Sequence, residues 1–152
     1  MGFLKSQEQR RREPNSYVRR IEEVVNTFKG KVILILIRQE IESWLLIDCL
    51  GICCYYTKNP ETRTNQDWIR FARKKQPGKT DLIEEANLGG KNAKEYLEKL
   101  SEEVLIKKNP NLKKKYENLR SMKYCEADCP DIAKSIEIND TTIQRNDSLK
   151  EY

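Results

Sequence analysis

The stretch Val32-Ile-Leu-Ile-Leu-Ile37, followed after Arg38 by Gln39-Glu-Ile-Glu-Ser-Trp-Leu-Leu-Ile-Asp48, decides how the rest of the chain is read. Six consecutive aliphatic residues leave no polar face to turn toward water. A strand of that kind is usually covered by helices on both sides, as in a parallel sheet. Just upstream, Asn15-Ser16 can cap a helix whose apolar positions Tyr17, Ile21, Val24, Val25 and Phe28 recur at spacings of three and four. Gly30 then stands where a left-handed residue stops a helix. Helix, glycine stop and buried strand together make half of a βαβ unit. Residues 40–52 read as a further helix, with Ile41, Trp44, Leu45 and Ile52 toward the core. The predicted class is α/β: a short, mostly parallel sheet flanked by helices, with a helical C-terminal half.

Residues 1–16 read as a flexible basic segment carrying Arg10-Arg11-Arg12, and 17–152 as a single domain. Within it, 55–65 is a turn-rich connector. Asn65 caps a short amphipathic helix with Trp68, Ile69 and Phe71, which Gln76-Pro77-Gly78 breaks. Asp81 heads another short helical stretch. The clearest helix is 92–107, with Ala93, Leu97, Leu100 and Val104 in one stripe, ended by Asn109-Pro110. Leu112, Tyr116 and Leu119 define the next helix, and 131–136 and 147–152 are short helical turns.

A chain of 152 residues can bury a core without disulfide staples. Charged residues make up 35% of it, with a net charge of +5, which suits a polyanionic partner and equally a solvated, lysine-rich surface. The N-terminus lacks a secretory pattern, and no apolar run approaches the roughly 20 residues that span a bilayer. The expectation is a cytoplasmic protein without a membrane partner, whose five cysteines are thiols. Histidine is absent, which excludes His-dependent triads, zinc-protease motifs and imidazole acid–base chemistry from this chain.

Three groups of residues are candidates for function. Glu40, Glu42 and Asp48 lie where the buried strand gives way to a helix, the end of an α/β sheet at which ligands bind. Their carboxylates suit Mg²⁺ or Mn²⁺, which prefer oxygen ligands. Glu40 and Glu42 are about 200° apart on an ideal helix, so they share an ion only if Glu40 precedes the first turn. The plain alternative is that they complement the positive end of the helix. Cys49, Cys53, Cys125 and Cys129 form two Cys-x-x-x-Cys spacings that would have to meet to hold zinc. The tight two-residue knuckle usual for that metal is absent, so zinc is disfavoured against buried free thiols. Finally, Arg70, Arg73, Lys74 and Lys75, with the basic run 107–115 and the N-terminal arginines, can track a phosphate backbone. Trp68, Phe71, Tyr55 and Tyr56 offer stacking surfaces. Gly78-Lys79-Thr80 lacks the earlier glycine and the preceding strand of a phosphate-binding loop, and reads as a turn.

The run Arg38-Gln39-Glu40-Ile41-Glu42-Ser43-Trp44-Leu45-Leu46-Ile47-Asp48 resembles the R-E-I-E-A-W-L-L-A-D signature of a prokaryotic family of unknown function grouped with TOPRIM-like domains. That fold is shared by topoisomerases, primases and overcoming-lysogenization-defect nucleases. Tyr124 with Asp131-Ile132-Ala133-Lys134-Ser135-Ile136, and Arg145-Asn146-Asp147-Ser148-Leu149-Lys150, add to the likeness, which covers about residues 17–152. The resemblance implies two-metal phosphodiester chemistry resting on a Glu after a first strand and an Asp-x-Asp after a later one. Residues 1–16 contain neither, so catalytic residues are not assignable. The resemblance therefore implies a partial TOPRIM-like domain linked to nucleic-acid processing or prokaryotic defence. It would be inactive alone, completed by a protein supplying the missing half or by self-association. A non-catalytic module that binds nucleic acid or protein is the alternative.

Overall fold

The computed structural model describes residues 17–30, 41–83 and 92–150. The chain divides into two compact units, Met1–Arg38 and Gln39–Tyr152. In the first, α1 (Tyr17–Asn26) is followed by a turn in which Lys29 (φ 48°) and Gly30 (φ 81°) are both left-handed. The predicted stop is therefore present, and a lysine shares it. Ile21 and Val24 of α1, and Phe28 in the turn after it, remain about half exposed. The aliphatic run 32–37 lies outside the described residues.

The second unit is helical. It contains α2 (Ile41–Leu45), α3 (Cys49–Thr57), α4 (Gln66–Lys75) and α5 (Ala93–Lys108). Four shorter helices follow: α6 (Tyr116–Met122), α7 (Cys129–Ala133), α8 (Asp140–Ile143) and α9 (Asp147–Lys150). Tight 3₁₀ turns occupy Pro60–Arg63, Thr80–Leu82, Pro110–Lys114 and Glu126–Asp128. Among the described residues there is no strand, so the predicted α/β class, with its short parallel sheet, is corrected to an all-helical one.

The physical reason lies in α3. Its sequence, Cys-Leu-Gly-Ile-Cys-Cys-Tyr-Tyr-Thr, has small or apolar residues on every side, and Cys49, Gly51, Ile52, Cys53, Tyr56 and Thr57 are buried. A helix without a polar face belongs in the middle of a core. Here α4, α5, α7 and the Pro60–Arg63 turn all pack on it. A central helix thus does what the predicted sheet was to do, which is to cover the apolar faces of its neighbours. Ile52 within it, and Leu46, Leu97, Leu100, Val104 and Ile132 outside it, are almost fully buried, and each contributes roughly 1.5–3 kcal/mol of hydrophobic stabilisation.

The helix expected over 40–52 is two helices. Asp48 leaves helical geometry (φ −137°, ψ 82°), and its side chain caps α3 by accepting from the Gly51 N–H at 3.1 Å. That break turns Ile41 outward, 42% exposed, and leaves Trp44 half-buried. The connector expected at 55–65 begins later, because α3 runs on to Thr57. It stops at Lys58, left-handed at φ 54°, whose N–H returns to Tyr55 O. The cap Asn65 stands where the sequence put it, on α4, and Asn92, read as the first residue of the next long helix, proves to be the cap of α5. The stripe Leu112, Tyr116, Leu119 is interrupted because Pro110–Lys114 is a tighter turn. Leu112 and Leu119 are buried, and Tyr116 is 68% exposed.

Gly51 marks a close approach of the 135–137 backbone to α3. A Cβ there would lie 2.4 Å from Ser135 O and 2.7 Å from Asp48 Oδ2, so only a hydrogen fits. Gly51→Ala is expected to destabilise the protein by about 3 kcal/mol, the upper range of overpacking, seen as a lower urea midpoint. Gly78→Ala, which meets nothing within 4 Å, should leave the midpoint unchanged or raise it by about 0.4–1 kcal/mol equivalent.

Candidate functional site

Of the three carboxylates proposed for a metal, Glu40 lies outside the described residues, and Glu42 and Asp48 are both about 95% buried. Glu42 projects from α2 and accepts a 2.6 Å hydrogen bond from the Tyr124 hydroxyl. That hydroxyl also lies 3.0 Å from Cys129 Sγ. Burial, then the contacts with Cys129 and Glu42, raise the tyrosine's pKa above its ordinary value, so it remains a donor. Asp48 accepts from three N–H groups: Gly51 N at 3.1 Å, Arg63 Nη2 at 2.9 Å and Glu137 N at 2.9 Å. Three of its roughly four lone-pair sites are therefore taken. Arg63 also donates to Ser135 O at 2.7 Å and pairs with Glu137 at 3.3 Å. Among the described residues no three aspartates, glutamates or cysteines converge as metal ligands. Glu42 and Asp48 each hold a different partner set.

The three stretches that carried the sequence resemblance meet in space, and they meet through hydrogen bonds that hold the fold. Trp44 Nε1 donates to Ser148 Oγ at 3.0 Å, and Arg145 Nη1 to Ile47 O at 2.5 Å. Asn146 is wholly buried. Its amide donates to Thr80 Oγ1 at 3.0 Å and Ser43 Oγ at 3.4 Å, and its carbonyl accepts from the Ser148 N–H and hydroxyl. Tyr124 reaches Glu42, and the backbone at 135–137 reaches Arg63 and Asp48. Arg63 was not anticipated as a partner of these stretches, nor was the bridging of Asn146, within the last of them, to Ser43 and Thr80. Isolated polar residues far apart in the chain carry no periodic signal, and burial alone distinguishes them.

Cys49 and Cys53 are fully buried on α3, Cys54 and Cys129 are half-buried, and Cys125 is exposed. All five are free thiols. Burial pushes the Cys49 thiol strongly upward and the Cys53 thiol up to about 12. Cys54 is also raised by burial, although Arg63 beside it pulls the other way. Thiols held protonated in this way are weak nucleophiles and weak zinc ligands at neutral pH. The two Cys-x-x-x-Cys pairs are not brought together as a four-thiolate site.

The basic residues have a different arrangement. On α4, Arg70, Arg73 and Lys74 are exposed at positions i, i+3 and i+4, which lie on one face. Lys75 turns aside to pair with Glu103 of α5 at 2.5 Å. Lys107, in the last turn of α5, sits 5.0 Å above the Trp68 ring and 5.8 Å above Phe71. The two rings meet edge to face at 5.7 Å. These contacts run α4 and α5 antiparallel. Lys107 thus meets the aromatic residues of α4, while Lys74 lies near Lys99 and Glu103 further back along α5; Lys113, Lys114 and Lys115 are exposed in the segment that follows α5. Among the described residues, the only carboxylate paired with an exposed cation of α4 is Asp67, 4.0 Å from Arg70. Basic residues in the last turns of α4 and α5 also complement the helix dipoles, which accounts for some of the charge without a ligand.

Comparison with models of known protein families, with curated proteins and with solved structures returns no match to this chain. No helix among the described residues is long and apolar enough to cross a membrane.

Two outcomes follow from the buried groups. Asp48→Ala should cost about 3–5 kcal/mol, because it strips a partly buried guanidinium of its partner and removes a helix cap. Chemical denaturation with and without Mg²⁺ should give the same loss. The buried thiols set the alkaline limit. An unfolded thiol ionises near about 8.5, whereas Cys53 stays protonated up to about 12 and Cys49 higher still. The unfolded state therefore holds fewer protons above about pH 8.5. Stability is complete below that pH and should fall by about 1.4 kcal/mol per pH unit per thiol above it. Urea midpoints measured upward from about pH 8 should show this slope, made shallower by Cys53→Ala.

Proposed function

We propose that the second unit is a non-catalytic nucleic-acid-binding module whose working surface is the face shared by α4 and the end of α5. The observation that carries this reading is the seating of Lys107 on Trp68 and Phe71. It seats a cation of α5 on the aromatic pair of the same helix that carries Arg70, Arg73 and Lys74, so positive charge and aromatic rings occur on one helix pair. Positive charge tracks a phosphate backbone without sequence preference, and aromatic faces near it accept unstacked bases. Arg70, Arg73 and Lys74, exposed along one helical face, would be the principal phosphate contacts, extended by Lys113, Lys114 and Lys115. The five free thiols suit a reducing cytoplasm.

A metal-dependent nuclease is less well supported by the same side chains. Asp48 gives its oxygens to Gly51, Arg63 and Glu137, and Glu42 accepts the Tyr124 hydroxyl hydrogen bond. An ion at either carboxylate would displace bonds that hold α3 and the C-terminal segments.

Fluorescence anisotropy with labelled single-stranded and duplex DNA and RNA tests the proposal. Affinity should fall linearly with salt on logarithmic axes, with a slope of about 0.7–0.9 per phosphate neutralised. Combining Arg70→Ala, Arg73→Ala and Lys74→Ala should flatten that slope by about 2–3 units and leave the melting temperature in place, since all three side chains are exposed. Lys134→Ala, which removes a cation paired with Asp131, should change neither. Binding that ignores salt, or a triple variant that binds like the parent, overturns the reading.

A further inference from the structure

A cleft of about 400 Å³ opens where the C-terminal ends of α3 and α5 meet the stretch 120–128. Its volume lies in the range of small-molecule sites. Four cations line it, Lys58, Lys108, Arg120 and Lys123, against the single carboxylate of Asp128. Lys123 is given to Glu98 at 3.1 Å. Asp128 already accepts from the Cys125 N–H at 3.1 Å and faces the Tyr55 hydroxyl at 3.4 Å. Lys108 reaches only the Tyr56 carbonyl, at 3.4 Å. Among the described residues, Lys58, Lys108 and Arg120 therefore border one cleft with no carboxylate to neutralise them. Their mutual repulsion is relieved by an anion seated between them.

Two further features shape the ligand. Tyr55 forms part of the wall, half-buried and braced edge to face by Tyr56 at 4.8 Å between centroids. It offers a fixed aromatic surface beside the cations. Lys58 occupies the left-handed position that ends α3, at φ 54°, where glycine would be less strained. A lysine there places a cation at the mouth of the cleft.

We propose that this cleft binds a nucleoside monophosphate, with the phosphate held by Lys58, Lys108 and Arg120 and the base laid against Tyr55. The same chemistry is available from a free nucleotide and from the phosphorylated end of a strand. The proposal goes beyond the α4–α5 face and does not depend on it.

Isothermal titration of the full chain with AMP, inorganic phosphate and a 5′-phosphorylated oligonucleotide tests it. AMP should bind more tightly than phosphate, because only AMP can use Tyr55. Arg120→Ala and Lys58→Gly should each weaken AMP roughly tenfold or more, the size of a lost charged hydrogen bond. Lys58→Gly should also keep or raise the melting temperature, so its loss of binding is not unfolding. The triple variant of Arg70, Arg73 and Lys74 should retain AMP affinity, which separates failure of one proposal from failure of the other. Binding of AMP identifies a free nucleotide as sufficient. Binding of the phosphorylated strand alone, sensitive to Lys58→Gly, identifies a strand end. Either supports the cleft. If neither binds at millimolar concentration, or if both bind unchanged in Arg120→Ala and Lys58→Gly, the proposal is overturned.

Discussion

A carboxylate taken out of water must recover its lost hydration from fixed donors. Asp48 recovers it from a helix N-terminus, from the guanidinium of Arg63 and from the backbone of Glu137. That requirement arranges much of the second unit. It sets the break between α2 and α3, it fixes where the Pro60–Arg63 turn must sit, and it draws the 135–137 backbone across α3. The crossing is so close that residue 51 has no room for a side chain. Arg63, by donating to both Asp48 and Ser135 O, links the three segments rather than two. The network around Asn146 does the same at the other end of α2, with neutral groups in place of charged ones.

The local signals in the sequence were legible wherever a single side chain decides the outcome. Asn65 and Asn92 each supply an oxygen to backbone N–H groups one turn ahead, and such a cap reads directly from residue type. The stripe Ala93, Leu97, Leu100, Val104 was clear because one face of α5 is buried and the other is wet. The class was misread because short apolar runs do not distinguish a buried strand from a buried helix. Residues 49–57, apolar all round, were given to the tail of one helix and the start of a connector. They are the central helix of the core. The aliphatic run 32–37, on which the α/β reading rested, lies outside the described residues.

The candidate site divides along the same line. Arg70, Arg73 and Lys74 could be named from the chain because three cations at helical spacing on a polar face have nowhere to go but outward. The seating of Lys107 on Trp68 and Phe71 could not be named, since it depends on the antiparallel pairing of α4 with α5. The carboxylates failed in the opposite sense. Glu42 and Asp48 look like ligands in isolation, and only their partners, 82 and 89 residues away in the chain for Tyr124 and Glu137, reveal what their oxygens hold. Charge at the surface is thus a local property of this sequence. Charge in the interior is a long-range one.

That span has a consequence for how the protein comes into being. The bond from Trp44 to Ser148 closes a separation of 104 residues, and Arg145 returns to Ile47 across 98. As the chain leaves the ribosome, α2 and the start of α3 emerge well before the partners at 145–148 that complete their hydrogen bonds. Non-local closures of this kind are entropically slow. Until the C-terminal turns arrive, the apolar surface of α3 has incomplete cover, and an early helix that is greasy on every side is the segment a nascent-chain chaperone would hold.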